Sequence, residues 1–255
     1  MLLRWLLPLA IFTGGSFETV LAATPRSAAK PILGGRQSDP GITFPSGREA
    51  GLPLLRNYHP REFASLTSFS DTWCVLQDQR GGMVFGNTGG ILLYNGAGWQ
   101  FVETPAKSIV RSLAIDAGGR IYVGASDDLG YLAPGKNGKL AYVSLLAHLP
   151  PEVRKFGDIR HTLATPEGVC FLTNGYLLRW KDDRFQRWKA TTSFSFLGFV
   201  DGKLYLQQSG NGLYTLEREQ LRLVSRQAIF TQTKVSVVLP FDAENRLVGT
   251  SDRGL

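Results

Sequence analysis

The sequence predicts an all-β chain: a β-propeller of four-stranded antiparallel blades, incomplete at about four and a half blades. Three observations predict it. First, a loose unit of turn, β-rich run, second turn and apolar-aromatic strand recurs at about 35–50 residues, the period of propeller blades. It reads GGMVFGNTGGILLYNGAGW (Gly81 to Trp99), then Gly118 to Leu140, Glu167 to Phe185 and Asp201 to Leu221, and it starts again at Glu244. Second, the 29 glycines fall mostly at the turns between these runs, as many tight connections require. Third, no long helical period stands out. Leu145 to Phe156 has room for a turn or two, but Pro150 and Pro151 interrupt it.

The elements follow in order. Residues 1–23 read as a signal peptide. Arg4 is the basic start, Trp5 to Phe12 a short apolar stretch broken by Pro8, and Ala22 or Ala23 a small-residue cleavage point. That stretch is too short to cross a bilayer, and no later segment approaches the required length, so with the signal the chain is expected to be exported. Residues 24–52, rich in Pro, Gly, Ser and Arg, read as an irregular linker. The propeller is expected over 53–255.

The first blade (72–105) shows the logic. Thr72 to Gln77 is an apolar run of strand length. A turn at Asp78 to Gly82, a second strand, a turn at Asn87 to Gly90 and a third strand follow. Asn95-Gly96 then suits a tight hairpin before the fourth strand at Trp99. Further blades are expected at 110–146, 159–189 and 194–228, with an unfinished one at 235–255. Blades bury their faces only against neighbours, so four and a half of them predict a piece of a longer ring. The alternative is a five-bladed ring completed by the segment near Leu54 to Phe69.

The units resemble the two-component regulator propeller repeat. VLQDQRGGMVFGNTGGILLYNG and SLAIDAGGRIYVGASDDLGYL carry its pattern: an apolar strand ending in Asp, a Gly turn, a short β run and a Gly-aromatic strand. The lead-in GLPLLRNYHPREF is also similar to the start of such sensors. The resemblance covers about Gly51 to Leu255. It implies the periplasmic input region of a sensor histidine kinase or related regulator. In whole members, two propellers precede a β-sandwich, a membrane helix and the kinase. His59, His148 and His161 all fall in strand or loop contexts and match no phosphoacceptor. The resemblance therefore implies a non-enzymatic chain whose output lies in the remainder of the sensor, with a carbohydrate-derived ligand and a homodimer as further partners.

Candidate chemistry is sparse. The three histidines have no metal-ligand spacing, and no cofactor or metal is expected. GNTGG (Gly86 to Gly90) lies between strands and reads as a blade turn. Asp127-Asp128 and Asp182-Asp183 sit at strand connections, where Asp caps its own backbone. Cys74 and Cys170 lie in strands of non-adjacent blades and read as buried thiols without a disulfide. The net charge of +7 is scattered over every unit and reads as a solvated basic surface, with no nucleic-acid partner. Within RWKDDRFQRWK (Arg179 to Lys189), the aromatic residues read as packing on a neighbouring blade and the basic heads as solvated.

The binding site is expected where the first strands line the central channel, since propeller ligands often sit at a channel mouth. Aligning the units on Asp78, Asp116 and Thr165 makes Trp73, Arg111 and Arg160 equivalent. Together they offer a stacking surface and two guanidinium forks, which suits an acidic or hydroxyl-rich glycan or small molecule. Packing between blades is the competing reading. A polysaccharide lyase or glycosidase on the same fold would need carboxylates, His or Tyr clustered at one mouth. A protein-binding scaffold rests on the fold alone.

Overall fold

The computed structural model describes residues 59–69, 71–242 and 244–252, with the backbone of one further strand at 10–12. The cleavage point and the 24–52 linker lie outside the described residues. The strands are β1 (Ala10–Phe12), β2 (Thr72–Gln77), β3 (Met83–Asn87), β4 (Gly90–Tyr94), β5 (Trp99–Glu103), β6 (Val110–Ile115) and β7 (Ile121–Ala125). β8 (Asp128–Pro134), β9 (Leu140–Ser144), β10 (His161–Thr165), β11 (Gly168–Leu172), β12 (Tyr176–Lys181) and β13 (Arg184–Lys189) follow. The series ends with β14 (Phe194–Val200), β15 (Lys203–Gln208), β16 (Gly212–Glu217), β17 (Gln220–Ser225), β18 (Val235–Pro240) and β19 (Arg246–Thr250). A short helix, α1 (Ala228–Gln232), precedes β18; no sequence signal foretold it.

Four antiparallel four-stranded sheets run in chain order: β2 to β5, β6 to β9, β10 to β13 and β14 to β17. A fifth sheet pairs β18 with β19. Its third strand is not the segment near Leu54 to Phe69 but β1, with Ile11 opposite Leu247. The described part of that segment lies against the first blade, with the Phe63 ring 5.1 Å from Trp99. The first strands β2, β6, β10, β14 and β18 lie side by side in sequence, which is the radial arrangement of a propeller. No pairing among the described residues closes the sheets into a ring.

Turn chemistry explains why first strands end in Asp. The Asp78 carboxylate accepts the Arg80 and Gly82 amides at 2.9 and 2.7 Å. Asp116 accepts Arg120 N at 2.9 Å, and the Thr165 hydroxyl accepts Glu167 N at 3.2 Å in the third blade. Asp182 and Asp183 take φ of 50° and 56° in the β12–β13 hairpin, a primed turn made without glycine.

Each seam between blades has its own apolar core. Ile91 and Val102 meet Val110 and Val123 between blades one and two. Tyr122 and Leu129 meet Phe171 and Leu178 between two and three. Leu172 and Leu177 meet Leu197 and Leu206 between three and four, and Phe196 and Phe230 meet Val238 and Val248 between four and five. Gly124 is needed at the second of these. A Cβ there would sit 2.4 Å from Thr162 Oγ1 and 2.5 Å from Ser112 Oγ, in the contact that joins two first strands. Gln207 occupies the matching place in the fourth blade and, fully buried, ties down the next connection. Its amide donates to Phe230 O and Thr233 O at 2.9 and 2.6 Å and accepts Val235 N at 2.8 Å.

Two sequence expectations need comment. Cys74 and Cys170 are unpaired; Cys170 is buried as expected and Cys74 only partly, and burial pushes their thiols up to about 12 and about 11 respectively. Arg179, read as a solvated head, is only 4% exposed. It reaches Glu167 at 2.8 Å, Gln186 at 3.0 Å and Glu219, with its guanidinium 5.0 Å from the Trp188 ring. Alternation along β12 turns it into the seam between blades three and four, where it needs these partners.

Candidate functional site

The residue after the start of each first strand is where the regular ladder breaks. The pairing slips at Trp73 in β2, Arg111 in β6, Ser195 in β14 and Ser236 in β18. In the third blade Arg160 takes the equivalent place, one residue before β10, whose pairing opens at His161 opposite Leu172. A β-bulge leaves one residue unpaired and re-aims its side chain. Here it happens at the same end of consecutive inner strands, so one mouth of the channel carries Trp73, Arg111, Arg160, Ser195 and Ser236 in turn.

On the side of blades one to three these groups satisfy each other. The Arg111 guanidinium lies 3.9 Å from the Trp73 ring centroid, and Trp73 Nε1 donates to Thr88 Oγ1 at 3.1 Å. Arg111 Nε is 3.1 Å from Asp158 Oδ2, an ion pair by distance but off the line of the N–H. Ser126 Oγ donates to the other Asp158 oxygen at 2.5 Å. Below them Ser112 Oγ donates to Ile159 O at 2.7 Å and lies 2.7 Å from Thr162 Oγ1. The result is a polar strap across three blades.

Arg160 behaves differently. It shares Asp158 at the longer distance of 3.7 Å, and its side chain is 73% exposed. Beside it opens a cleft of about 260 Å³ between blades three, four and five, lined by His161, Asn174, Ser193, Phe194, Ser209 and Lys234 among others. The cations Arg160 and Lys234 border it, while the carboxylate of Asp158 is already engaged by Arg111. His161 packs edge-on to Phe196 at 5.9 Å. Burial, reinforced by the Arg160 charge and opposed by a hydrogen bond with the Ser195 backbone, holds its pKa below the ordinary 6.5, so the ring is neutral at pH 7. The cleft thus offers two cations, a neutral imidazole, an amide and several hydroxyls. That donor set fits a polyhydroxylated ligand with an anionic group.

The structure therefore brings the three sequence candidates into one connected group, joined through Asp158. It seats Arg111 in the strap and leaves Arg160 to face the cleft. Sequence reasoning missed Asp158, His161, Asn174, Ser193 and Lys234. A usable signal existed for some of them: extending the unit alignment by one position sets Cys74, Ser112 and His161 side by side. Asp182 and Asp183 form a hairpin turn, whereas Asp127 and Asp128, expected to cap their own backbone, reach residues far along the chain. Asp127 Oδ1 accepts the Phe156 and Gly157 amides at 2.9 and 2.6 Å. Buried Asp128 accepts Leu129 N, Tyr142 OH and Ser144 Oγ at 2.7, 3.1 and 2.7 Å, and burial next to this carboxylate raises the Tyr142 pKa. No group of three metal-ligating side chains occurs among the described residues, and none of their helices is long and apolar enough to cross a membrane.

No family model matches the chain, and no curated protein matches it. Among solved structures it is similar to the extracellular domain of the protein named one component system BT4673 from B. thetaiotaomicron. That likeness has a TM-score of 0.57 at 21% identity and covers 72% of this chain and 27% of that one. It is also similar to the WD40 β-propeller domain of Doa1, with a TM-score of 0.55 at 12% identity, covering 73% and 64%. The chain spans about a quarter of the first of these. At such identities the likeness defines the fold, and the chain is a β-propeller protein. Beyond that class, function rests on its own residues.

Proposed function

We propose that this chain is the ligand-binding input propeller of an exported receptor, the sensor region of a two-component histidine kinase or related regulator, and that it takes a carbohydrate-derived ligand carrying an anionic group. The single observation that carries this reading is the mouth cleft, where Arg160, Lys234 and His161 face a hydroxyl-rich wall next to the strapped Trp73 and Arg111. The resemblance of the repeat to sensor propellers supports the receptor role, and the fold shared with a domain named as the extracellular part of a one component system agrees with it.

The signalling step follows from the sharing of Asp158. An anionic ligand bound by Arg160 draws it from a carboxylate that also holds Arg111 and Ser126, so occupancy biases the packing of blades two and three. The parts that would read this shift, and any homodimer, belong to the rest of the receptor.

The test is a titration of the purified chain with uronic-acid di- and trisaccharides and their neutral counterparts, followed by recovery of the sugars. Binding of the anionic series with the sugars returned intact is expected. Turnover of any of them would replace the sensor reading with the polysaccharide-active enzyme, and absence of binding by both series would remove the glycan.

A further inference from the structure

The first strands of blades two to five are each led by a buried apolar residue: Val110, Ile159, Phe194 and Val235. The residue just before it is Ile109, Asp158, Ser193 or Lys234, and the last three line the cleft. In blades two, four and five the carbonyl of that residue accepts an equivalent amide. Ser126 N reaches Ile109 O at 2.9 Å, Ser209 N reaches Ser193 O at 2.8 Å and Ser251 N reaches Lys234 O at 2.9 Å. What holds the place from the preceding blade differs. In blades one and two the second strand puts a glycine, Gly86 or Gly124, opposite the residue after the bulge. A Cβ at Gly86 would lie 3.0 Å from Val110 O, and one at Gly124 2.6 Å from Ile159 Cγ2, so the next lead residue packs on bare backbone. In blade four the same place, opposite Phe196, is Gln207. Its amide has two donors and two acceptor positions, and all four are used. Nε2 donates to Phe230 O and Thr233 O at 2.9 and 2.6 Å, and Oε1 accepts Val235 N at 2.8 Å and Ser195 Oγ at 3.0 Å. Thr233 and Val235 are the two neighbours of Lys234 in the chain.

We propose that Gln207 is a positioning residue of the cleft: by clamping the peptide groups on either side of Lys234, it fixes where that cation stands to meet an anionic ligand. The proposal rests on the reading of the cleft as the ligand site. Gln207 itself is only 1% exposed and touches no ligand. A lysine ammonium rides on a flexible stem, so the place where its backbone is held decides what it can reach. Here the backbone is held from both sides: by Gln207 at Thr233 O and Val235 N, and by Ser251 N at Lys234 O. An apolar side chain could fill the volume of Gln207, but it would leave those buried backbone groups without a partner. The fourth bond of the amide goes to Ser195, which also lines the cleft. One buried side chain thus ties a wall contributed by blade four to the cation that enters from blade five.

The test uses the whole 255-residue chain and has one arm with ligand and one without. In the first, a uronic-acid disaccharide is titrated into the parent chain, Gln207→Met, Lys234→Ala and the double variant. Gln207→Met should weaken binding about tenfold in the parent background and by less than about twofold when Lys234 is already absent, because its effect runs through that cation. Equal losses in the two backgrounds would overturn the proposal and leave Gln207 a structural peg. In the second arm, amide hydrogen exchange is followed at Val235, a partner of Gln207, and at Ser251, which bonds Lys234 O but not Gln207. Both should exchange faster in Gln207→Met, by about tenfold or more. Thr215→Val, which removes a buried hydroxyl bond to Leu204 O in the same blade, should lower Tm while leaving both amides and the affinity unchanged. Acceleration at Val235 with none at Ser251 would show that Lys234 stays in place without the clamp, and would overturn the proposal. Should Gln207→Met not fold, Gln207→Asn, whose amide stops one methylene short, is expected to shift both arms in the same direction. If the parent chain binds no sugar, the glycan reading falls, and exchange at Ser251 still decides whether Gln207 holds Lys234.

Discussion

The two sides of the channel mouth use the same device for opposite ends. In blades one and two the bulged residues are Trp73 and Arg111, and their side chains are spent on each other and on Asp158. Around blades three to five the corresponding residues are Arg160, Ser195 and Ser236, and a cleft opens next to Arg160 with Lys234 and His161 on its walls. What differs is whether the charge at that place finds a partner within the protein. A guanidinium stacked on Trp and facing a carboxylate has little left to offer a ligand. One at 73% exposure, with its carboxylate shared at 3.7 Å, has most of its donors left. The lesson is that equivalence by repeat position locates a mouth but does not say which of its residues are available.

Four substitutions and one labelling experiment break or sharpen this contrast. The largest effect belongs to the core beneath the strap: Phe171→Ala, at a fully buried ring in the seam of blades two and three, should cost about 3–5 kcal/mol by denaturant unfolding. If it cost less than about 1 kcal/mol, the two blades would not be packed as described. Next comes Arg160→Ala. It should leave stability within about 0.5 kcal/mol, because the pair is exposed, yet weaken binding of an anionic sugar about tenfold or more. Arg111→Ala should invert that result. It should lose about 1 kcal/mol of stability, a figure discounted for partial exposure of the pair, with affinity nearly unchanged. Equal losses of affinity for the two variants would erase the distinction between strap and cleft.

A smaller effect concerns pH. The folded state holds His161 below its ordinary pKa, so the unfolded chain binds more proton between that ordinary value of 6.5 and the lower folded one. Stability is therefore full above about pH 6.5 and declines as the pH falls through that window. His161→Gln should flatten the slope in urea melts at stepped pH; an unchanged slope would assign it to other groups. The smallest expected signal is no signal. Burial pushes the Cys74 thiol up to about 11 and that of Cys170 to about 12, so neither should react with a thiol reagent at pH 7.5 until denaturant is added. Rapid labelling of Cys74, which sits under the strap against Val110, would show that this side of the mouth opens.

Much of the architecture was legible because it is written locally. Gly turns, an Asp or Thr closing each first strand, and alternating apolar runs are properties of neighbouring residues, and the sheets follow from them. Asp78 and Asp116 earn their places by capping amides two to four residues away, which a sequence shows directly. The equivalence of Trp73, Arg111 and Arg160 was legible for the same reason. What was hidden depends on contacts between blades. Asp158 looks like a loop residue until its distance to Arg111 is known. Arg179 looks solvated within a basic run until the alternation of β12 turns it into a seam. Lys234 gave no sign of lying near Arg160, since 74 residues and a whole blade separate them in the chain. The helix α1 was missed because its hold is Gln207, a buried side chain one blade earlier.

The most direct measurement is a calorimetric titration of the intact chain with a uronic-acid disaccharide, run in parallel on Arg111→Ala, Arg160→Ala and Lys234→Ala. Binding by the parent chain and by Arg111→Ala, with at least a tenfold loss in each of the other two, is the predicted result. Binding abolished by Arg111→Ala and indifferent to Arg160 and Lys234 would contradict the account.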